Sequence, residues 1–235
     1  MNIFGQRQIR YRDKEVETIH REDLEEIQFK HLRHTVMSAL GTVFYGVRLR
    51  KIGINSSEDI KNIEDLSKIP FTTKDDLREA YPGGLLSGSL SGVVRLHTSS
   101  GTTGSPTVIY HTQEDLDNWT ELLMRGLVAC GVSENDVFQN MMTYGLFTGG
   151  LGLHYAAEKL GALVIPAGSG NTRRQMQLMK DFKTTVVHAT PNYMLHVAGK
   201  MGELGFTVGE LSLRKAFLGA EPFSENARKK IEKHF

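Results

Sequence analysis

Leu163 to Ala189 reads Leu-Val-Ile-Pro-Ala-Gly-Ser-Gly-Asn-Thr-Arg-Arg-Gln-Met-Gln-Leu-Met-Lys-Asp-Phe-Lys-Thr-Thr-Val-Val-His-Ala, and its punctuation decides the fold. A short apolar run, residues 163–166, stops at a Gly-rich turn. A helix follows over about residues 172–182, and a second β-branched run, residues 185–189, then opens. The same alternation extends both ways. Upstream lie a strand at residues 137–141 and a Gly-rich helix over about 148–161. Downstream come a helix over about 191–204, a strand at 213–218 and a helix from Glu225, capped by Ser224, to Phe235. Strands that alternate with helices predict an α/β fold, a mostly parallel sheet flanked by helices. There are no internal repeats.

In such sheets ligands bind outside the carboxyl ends of the strands. Four post-strand segments are therefore candidate site loops: Met142-Thr143-Tyr144-Gly145-Leu146-Phe147-Thr148-Gly149-Gly150, Ala167-Gly168-Ser169-Gly170-Asn171-Thr172, Thr190-Pro191-Asn192-Tyr193 and Gly219-Ala220-Glu221-Pro222. Each is small, polar or aromatic, as a shared crevice requires.

Ahead of this region, Ser99-Ser100-Gly101-Thr102-Thr103-Gly104-Ser105-Pro106 lies between two β-branched runs, residues 93–97 and 107–110, and is expected in a hairpin. Glycines let successive N–H groups turn inward, and hydroxyls add donors, which is a composition for wrapping an anion. The loop is not a Walker A motif, because its glycines stand three apart and Ser105-Pro106 follows in place of Gly-Lys-Ser/Thr. On composition alone, a phosphate cradle and a plain Gly-rich turn both stand.

The first part of the chain reads as helical. A long helix from about Glu22 should carry Leu32, Val36, Leu40, Val43 and Val47 as one apolar stripe. His20, His31 and His34 lie in or beside it without metal-ligand spacing and are expected in solvent. A polar connection follows at residues 54–66, and Thr73 with Asp76 starts another helix as a capping box. Residues 81–84 stop that helix, and a Gly- and Ser-rich joint leads to the hairpin. After the hairpin, Thr112 caps a helix with Leu116, Trp119, Leu123, Leu127 and Cys130 on its buried side, so Cys130 is expected to be an inert core thiol. The organisation expected is a helical segment over residues 1–82 and an α/β region over 83–235.

With 235 residues, 40% of them hydrophobic, the chain can bury a real core. A net charge of +1 leaves no electrostatic footprint for nucleic acid or an anionic membrane. One cysteine excludes an internal disulfide and a cysteine metal cluster. No leader pattern and no run of apolar residues long enough to span a bilayer are present, and a cytoplasmic protein is expected.

Taken together and in this order, the Ser99–Pro106 loop, the Tyr144–Gly150 segment, Gly170-Asn171-Thr172 and Gly219-Ala220-Glu221-Pro222 resemble the adenylate-forming, AMP-binding ligases, and more narrowly the phenylacetate–coenzyme A ligase branch. The resemblance runs from the first long helix to the last residue. It implies ATP-dependent activation of an aryl carboxylic acid, with phenylacetate the first candidate, to an acyl adenylate and transfer to coenzyme A. ATP, Mg²⁺ and coenzyme A are the co-substrates it implies. By the same resemblance Ser99, Ser100, Gly101, Thr102, Thr103 and Gly104 bind phosphate, Gly219, Ala220, Glu221 and Pro222 lie along adenine, and Tyr144 and Phe147 line the acyl pocket, with His188 and Tyr193 as weaker candidates. A histidine inside a strand is more often a satisfied core residue.

The sequence departs from the family in two ways. Ser105 stands where the family loop commonly has lysine, which removes one cation from the phosphates. The family's Mg²⁺-binding glutamate, its ribose-binding aspartate and its mobile C-terminal domain with a catalytic lysine have no counterpart before Phe235. The expectation is therefore the first half of a longer ligase, with no complete catalytic set and no metal ligand, inactive by itself and prone to self-association through an exposed sheet edge. The competing expectation is a non-catalytic fragment or remnant that binds only nucleotide or aryl acid. Homodimerisation of a complete enzyme is left open.

Overall fold

The computed structural model describes residues 10–99 and 106–235, so residues 100–105 of the candidate phosphate loop lie outside the described residues. The chain divides into two compact units, Asp13–Leu116 and Asp117–Phe235, the latter with residues 10–12. Among the described residues no helix is long and apolar enough to cross a membrane.

In the Asp13–Leu116 unit, the helices α1 (Lys14–Glu17), α2 (Arg21–Leu40), α3 (Val43–Lys51) and α4 (Lys74–Glu79) precede the strands β1 (Arg95–Thr98) and β2 (Val108–His111). The single long helix expected from the apolar spacing is two helices. Thr42 restarts the chain by accepting a hydrogen bond from Tyr45 N at 2.9 Å, and the restart changes the helical phase. Val36 is buried, but Val43 is 79% and Val47 67% exposed, and Leu49, at 1%, takes the inward place. Gly46 permits this: a Cβ there would lie 2.6 Å from the Leu40 carbonyl oxygen. The core joins Val36, Leu49, Ile54 and Ile60, so the stretch read as a polar connection also supplies two buried isoleucines. His20, His31 and His34 are exposed as expected. The Thr73–Asp76 capping box forms, and Arg48 Nη2 donates to Asp76 at 2.5 Å.

The hairpin is also as expected. The strands β1 and β2 pair antiparallel with Thr98 opposite Val108. Ser99 continues the pairing: its N–H donates to the Thr107 carbonyl at 3.0 Å, and its hydroxyl accepts from Thr107 N at 2.9 Å.

The Asp117–Phe235 unit holds the α/β sheet. The helix α5 (Gln113–Ala129) enters it, followed by β3 (Val137–Asn140), α6 (Thr148–Leu160), β4 (Leu163–Ile165), α7 (Thr172–Asp181), β5 (Val186–Ala189), α8 (Pro191–Lys200), β6 (Lys215–Leu218) and α9 (Glu225–His234). The strand order is β4-β3-β5-β6, and every pair is parallel. Side chains alternate across the sheet. Phe138 and Val186 pack with Met124 and Leu127 of α5 and with Ala156 and Ala157 of α6. Val187 and Ala189 pack on the other face with Met179, Met194 and Ile231 of α7, α8 and α9. Helices thus cover both faces, which is the layering that parallel strands require.

Cys130 departs from expectation. It is exposed, because α5 ends at Ala129 and the chain turns through Gly131, whose φ is +78°. Leu127 is the last inward residue of that stripe.

Candidate functional site

All four parallel strands deliver their carboxyl ends to one cavity of about 740 Å³. Its walls come from every post-strand segment: Met141, Met142, Phe147 and Gly150 after β3, Ser169 after β4, His188, Thr190 and Tyr193 at the end of β5 and beyond it, and Ala220 after β6. The crevice inferred from the strand alternation is therefore present in this unit.

Buried amides hold these loops. Asn140, the last residue of β3, donates from Nδ2 to the Gly150 carbonyl at 2.6 Å and accepts from Met142 N at 3.1 Å. Gly150 can be nothing larger, since a Cβ would lie 2.5 Å from the Thr143 carbonyl oxygen. Next to Asn140, Gln139 donates to Gln175 Oε1 at 2.7 Å and accepts from the Thr184 hydroxyl at 2.9 Å. Gln175 then donates to the Gly168 carbonyl at 2.7 Å and the Gly170 carbonyl at 3.3 Å. One satisfied polar network thus fixes the loop after β4, and such networks specify a single arrangement when every member is paired. Asn171, with φ at +48°, caps α7 by accepting from Arg174 N at 3.2 Å.

The loops after β5 and β6 are locked together. Thr190 caps α8 by accepting from Tyr193 N, with Pro191 in the first turn. The Glu221 carboxylate accepts from Asn192 N at 2.7 Å and from Asn192 Nδ2 at 3.0 Å, a negative charge where the helix dipole favours one. Ala220 carries φ at +69°. A non-glycine residue in the left-handed region is strained by of order 1–3 kcal/mol, and such strain collects at ligand sites.

Residues 89–235 match the family model described as AMP-binding enzyme. The chain belongs to the AMP-binding enzymes. Among curated relatives, phenylacetate–coenzyme A ligase of Pseudomonas putida is 41% identical over 218 residues, which is 92% of this chain and 49% of the relative. The Thermus thermophilus protein of the same name is 42% identical over 219 residues, 93% of this chain and 49% of the relative. The chain spans about half the length of the curated relatives it matches. A solved 2-hydroxyisobutyryl-CoA ligase in complex with 2-HIB-AMP and CoA superposes with a TM-score of 0.87 at 23% identity, over 99% of this chain and 56% of that one, a likeness of fold.

Within this AMP-binding chain, the residues singled out from sequence are placed unequally. Phe147 and Ala220 line the cavity, as do His188 and Tyr193. Glu221 acts on the frame, through Asn192. Tyr144 is not part of the lining. Its hydroxyl lies 3.0 Å from His154 Nδ1, and His154 Nε2 is 3.1 Å from Glu158 Oε1. Burial pushes the Tyr144 hydroxyl up to about 12, so it stays protonated. The turn through Gly145, with φ at +141°, sends Tyr144 and Phe147 in different directions. Ser99 is described and paired with Thr107, whereas Ser100, Gly101, Thr102, Thr103 and Gly104 lie outside the described residues.

Met142 lines the cavity as part of its expected site loop, whereas sequence reasoning missed Met141 as a cavity wall and the amides behind it. The signal was there: Gln139-Asn140 is a polar pair closing an otherwise apolar strand. His188 is buried as a core histidine would be, but its Nδ1 has no hydrogen-bond partner among the described residues. Among the described residues no three His, Cys, Asp or Glu side chains gather as a metal site.

Proposed function

We propose that this chain is the acid-recognising part of a longer ligase that activates an aryl carboxylic acid, phenylacetate or a close relative, with ATP and passes the acyl group to coenzyme A. Residues 83–235 are the incomplete AMP-binding region in this reading, and residues 1–82 are a helical segment ahead of it. The observation that carries it is the cavity where all four post-strand loops converge, in a chain 41% identical over 92% of its length to a phenylacetate–coenzyme A ligase.

Phe147 and Tyr193 offer flat aromatic surface, and Met141 and Met142 offer deformable apolar surface, which suits an aromatic ring. The acid's carboxylate oxygen attacks the α-phosphorus of ATP, the bond to the bridging oxygen breaks, and pyrophosphate leaves with the electron pair. The sulfur of coenzyme A then attacks the acyl carbon, and AMP departs as the mixed anhydride breaks. The protein's task is to hold charge in a partly dehydrated site. We assign the phosphates to the Ser99–Gly104 loop and adenine to Gly219, Ala220, Glu221 and Pro222, held by the Glu221–Asn192 bracket. The exposed thiol of Cys130 favours a reducing, cytoplasmic compartment.

Exchange of labelled pyrophosphate into ATP, run with an acid panel on the full-length protein, tests the assignment. Exchange should depend on an aryl acid, and the 235-residue chain alone should give none. Preference for a medium-chain fatty acid over every aryl acid overturns the pocket reading. Ligand binding without exchange by the full-length protein favours a non-catalytic binding module.

A further inference from the structure

We propose that His154 is a positioning residue for the acid: fixed by Glu158, it holds the Tyr144 hydroxyl and, through it, the loop that brings Phe147 to the cavity; the inference rests on the reading of the cavity as an acyl pocket. His154 and Glu158 lie one turn apart on α6, with His154 Nε2 3.1 Å from Glu158 Oε1. The other ring nitrogen, Nδ1, lies 3.0 Å from the hydroxyl of Tyr144, ten residues earlier in the loop after β3. The two rings meet edge to face, with centroids 5.6 Å apart and planes at 89°.

The chemistry of the three groups assigns their roles. A carboxylate only accepts, so Nε2 carries the proton that points to Glu158, and in the neutral ring Nδ1 is left as the acceptor. The Tyr144 hydroxyl donates to it. A His–Glu pair wholly in solvent would have nothing to transmit. Here the His154 side chain is 15% exposed against 52% for Glu158, and its inner nitrogen is spent on the loop and not on the helix.

The loop needs such a tie. Asn140 fixes its two ends, through Met142 N and the Gly150 carbonyl, and Thr143 donates to Ser169 at 3.1 Å. Between those ends Gly145 turns with φ at +141°, and nothing lies within 4 Å of where a Cβ would stand. Phe147 occupies the N-cap position of α6, where a capping side chain would set the entry of the chain, and makes no capping bond. It is half exposed and lines the cavity. The direction of Phe147 is therefore set from either side, and on the Tyr144 side the anchor is the imidazole of His154. Loss of that anchor loosens the wall against the acid and leaves the nucleotide loops untouched.

The test is pyrophosphate exchange by the full-length protein, with phenylacetate and ATP varied in turn. His154→Phe, which keeps a ring and removes the acceptor, should raise the KM for the acid about tenfold, the value of one hydrogen bond whose partner is left unpaired. The KM for ATP and kcat should stay within about twofold, the pattern of lost ground-state binding. Tyr144→Phe removes the same bond from its other end with the loss of one hydroxyl, and should raise the acid KM to the same extent. The double variant should do no more than either single one. His154→Asn, whose amide oxygen can take the place of Nδ1, should restore part of the loss. An acid KM unmoved by Tyr144→Phe overturns the inference, as do a parallel rise in the KM for ATP and a double variant whose effects multiply. Exchange with aryl acids in any of these cases leaves the pocket reading standing, whereas a wild-type protein that gives no exchange with any aryl acid overturns both.

Discussion

At the scale of the residue, the site depends on groups whose state the fold decides, and His188 has a consequence outside binding. Its folded value of about 4 lies well below the unperturbed 6.5, because burial disfavours the charged ring. Between those values the unfolded chain binds a proton that the folded chain does not, so stability falls as pH drops from 6.5 toward 4 and has no slope from this group above 6.5. The window spans about 3 kcal/mol. Burial and the charge on His97 also hold His111 down, which adds to the loss with the same sign. Urea denaturation at pH 7 and pH 4.5 should show the loss, and His188→Leu should remove most of it; an equal loss in the variant assigns the acid sensitivity elsewhere. A second residue-scale expectation concerns Ser105. Restoring a cation by Ser105→Lys should tighten the apparent ATP affinity of the full-length protein about tenfold, the value of one charge-assisted hydrogen bond. An unchanged affinity refutes the idea that the missing lysine matters.

At the scale of the element, α6 is positioned from behind by a glycine. A Cβ on Gly152 would lie 2.4 Å from Trp119 Cζ2 and 2.7 Å from Leu123 Cδ1, so Gly152→Ala must push α6 away from α5. Overpacking of this kind costs about 1–3 kcal/mol. Because Gly149 and Gly150 of the same helix line the cavity, the variant should also raise the KM for the acid. The chain has one tryptophan, so its emission reports the shift, and unchanged emission with unchanged stability would refute the packing argument. The strands and helices of this unit were legible because short β-branched runs and capped helices alternate with no competing pattern. The break between α2 and α3 was not. Leu32, Val36, Leu40, Val43 and Val47 keep helical spacing across it, and only the hydroxyl of Thr42, bonded to Tyr45 N, reveals the restart. Cys130 was misplaced by extending the apolar stripe one turn past Leu127, beyond the end of α5 at Ala129. Within the site, Phe147 was legible and the departure of Tyr144 was not, because direction inside a Gly-containing loop is set by backbone angles that residue types leave open.

At the scale of the whole molecule, the cavity is a property of the sheet: residues from Met141 to Ala220 meet because parallel strands point their carboxyl ends one way. The same sheet has a cost at its margin. Among the described residues, β6 pairs with β5 on one side and stands last in the strand order. Beside it lies a hollow of about 480 Å³ lined by Phe217, Phe223 and Ile231, with Arg214, Lys215 and Arg228 around it. An unpaired strand edge beside apolar surface is a template for another chain, and charge on the edge opposes such pairing. Lys215 at the start of β6 and Arg214 just before it pair with Asp136, and Ala216 in the middle of the strand is exposed and uncharged. The 235-residue chain by itself should therefore self-associate in a concentration-dependent way. Sedimentation velocity should show the weight-average coefficient rising with concentration, and Ala216→Lys should shift the chain back toward monomer. A single monomeric boundary for the wild type at high concentration rules out an open edge at β6, while association that persists in Ala216→Lys places the contact on another surface.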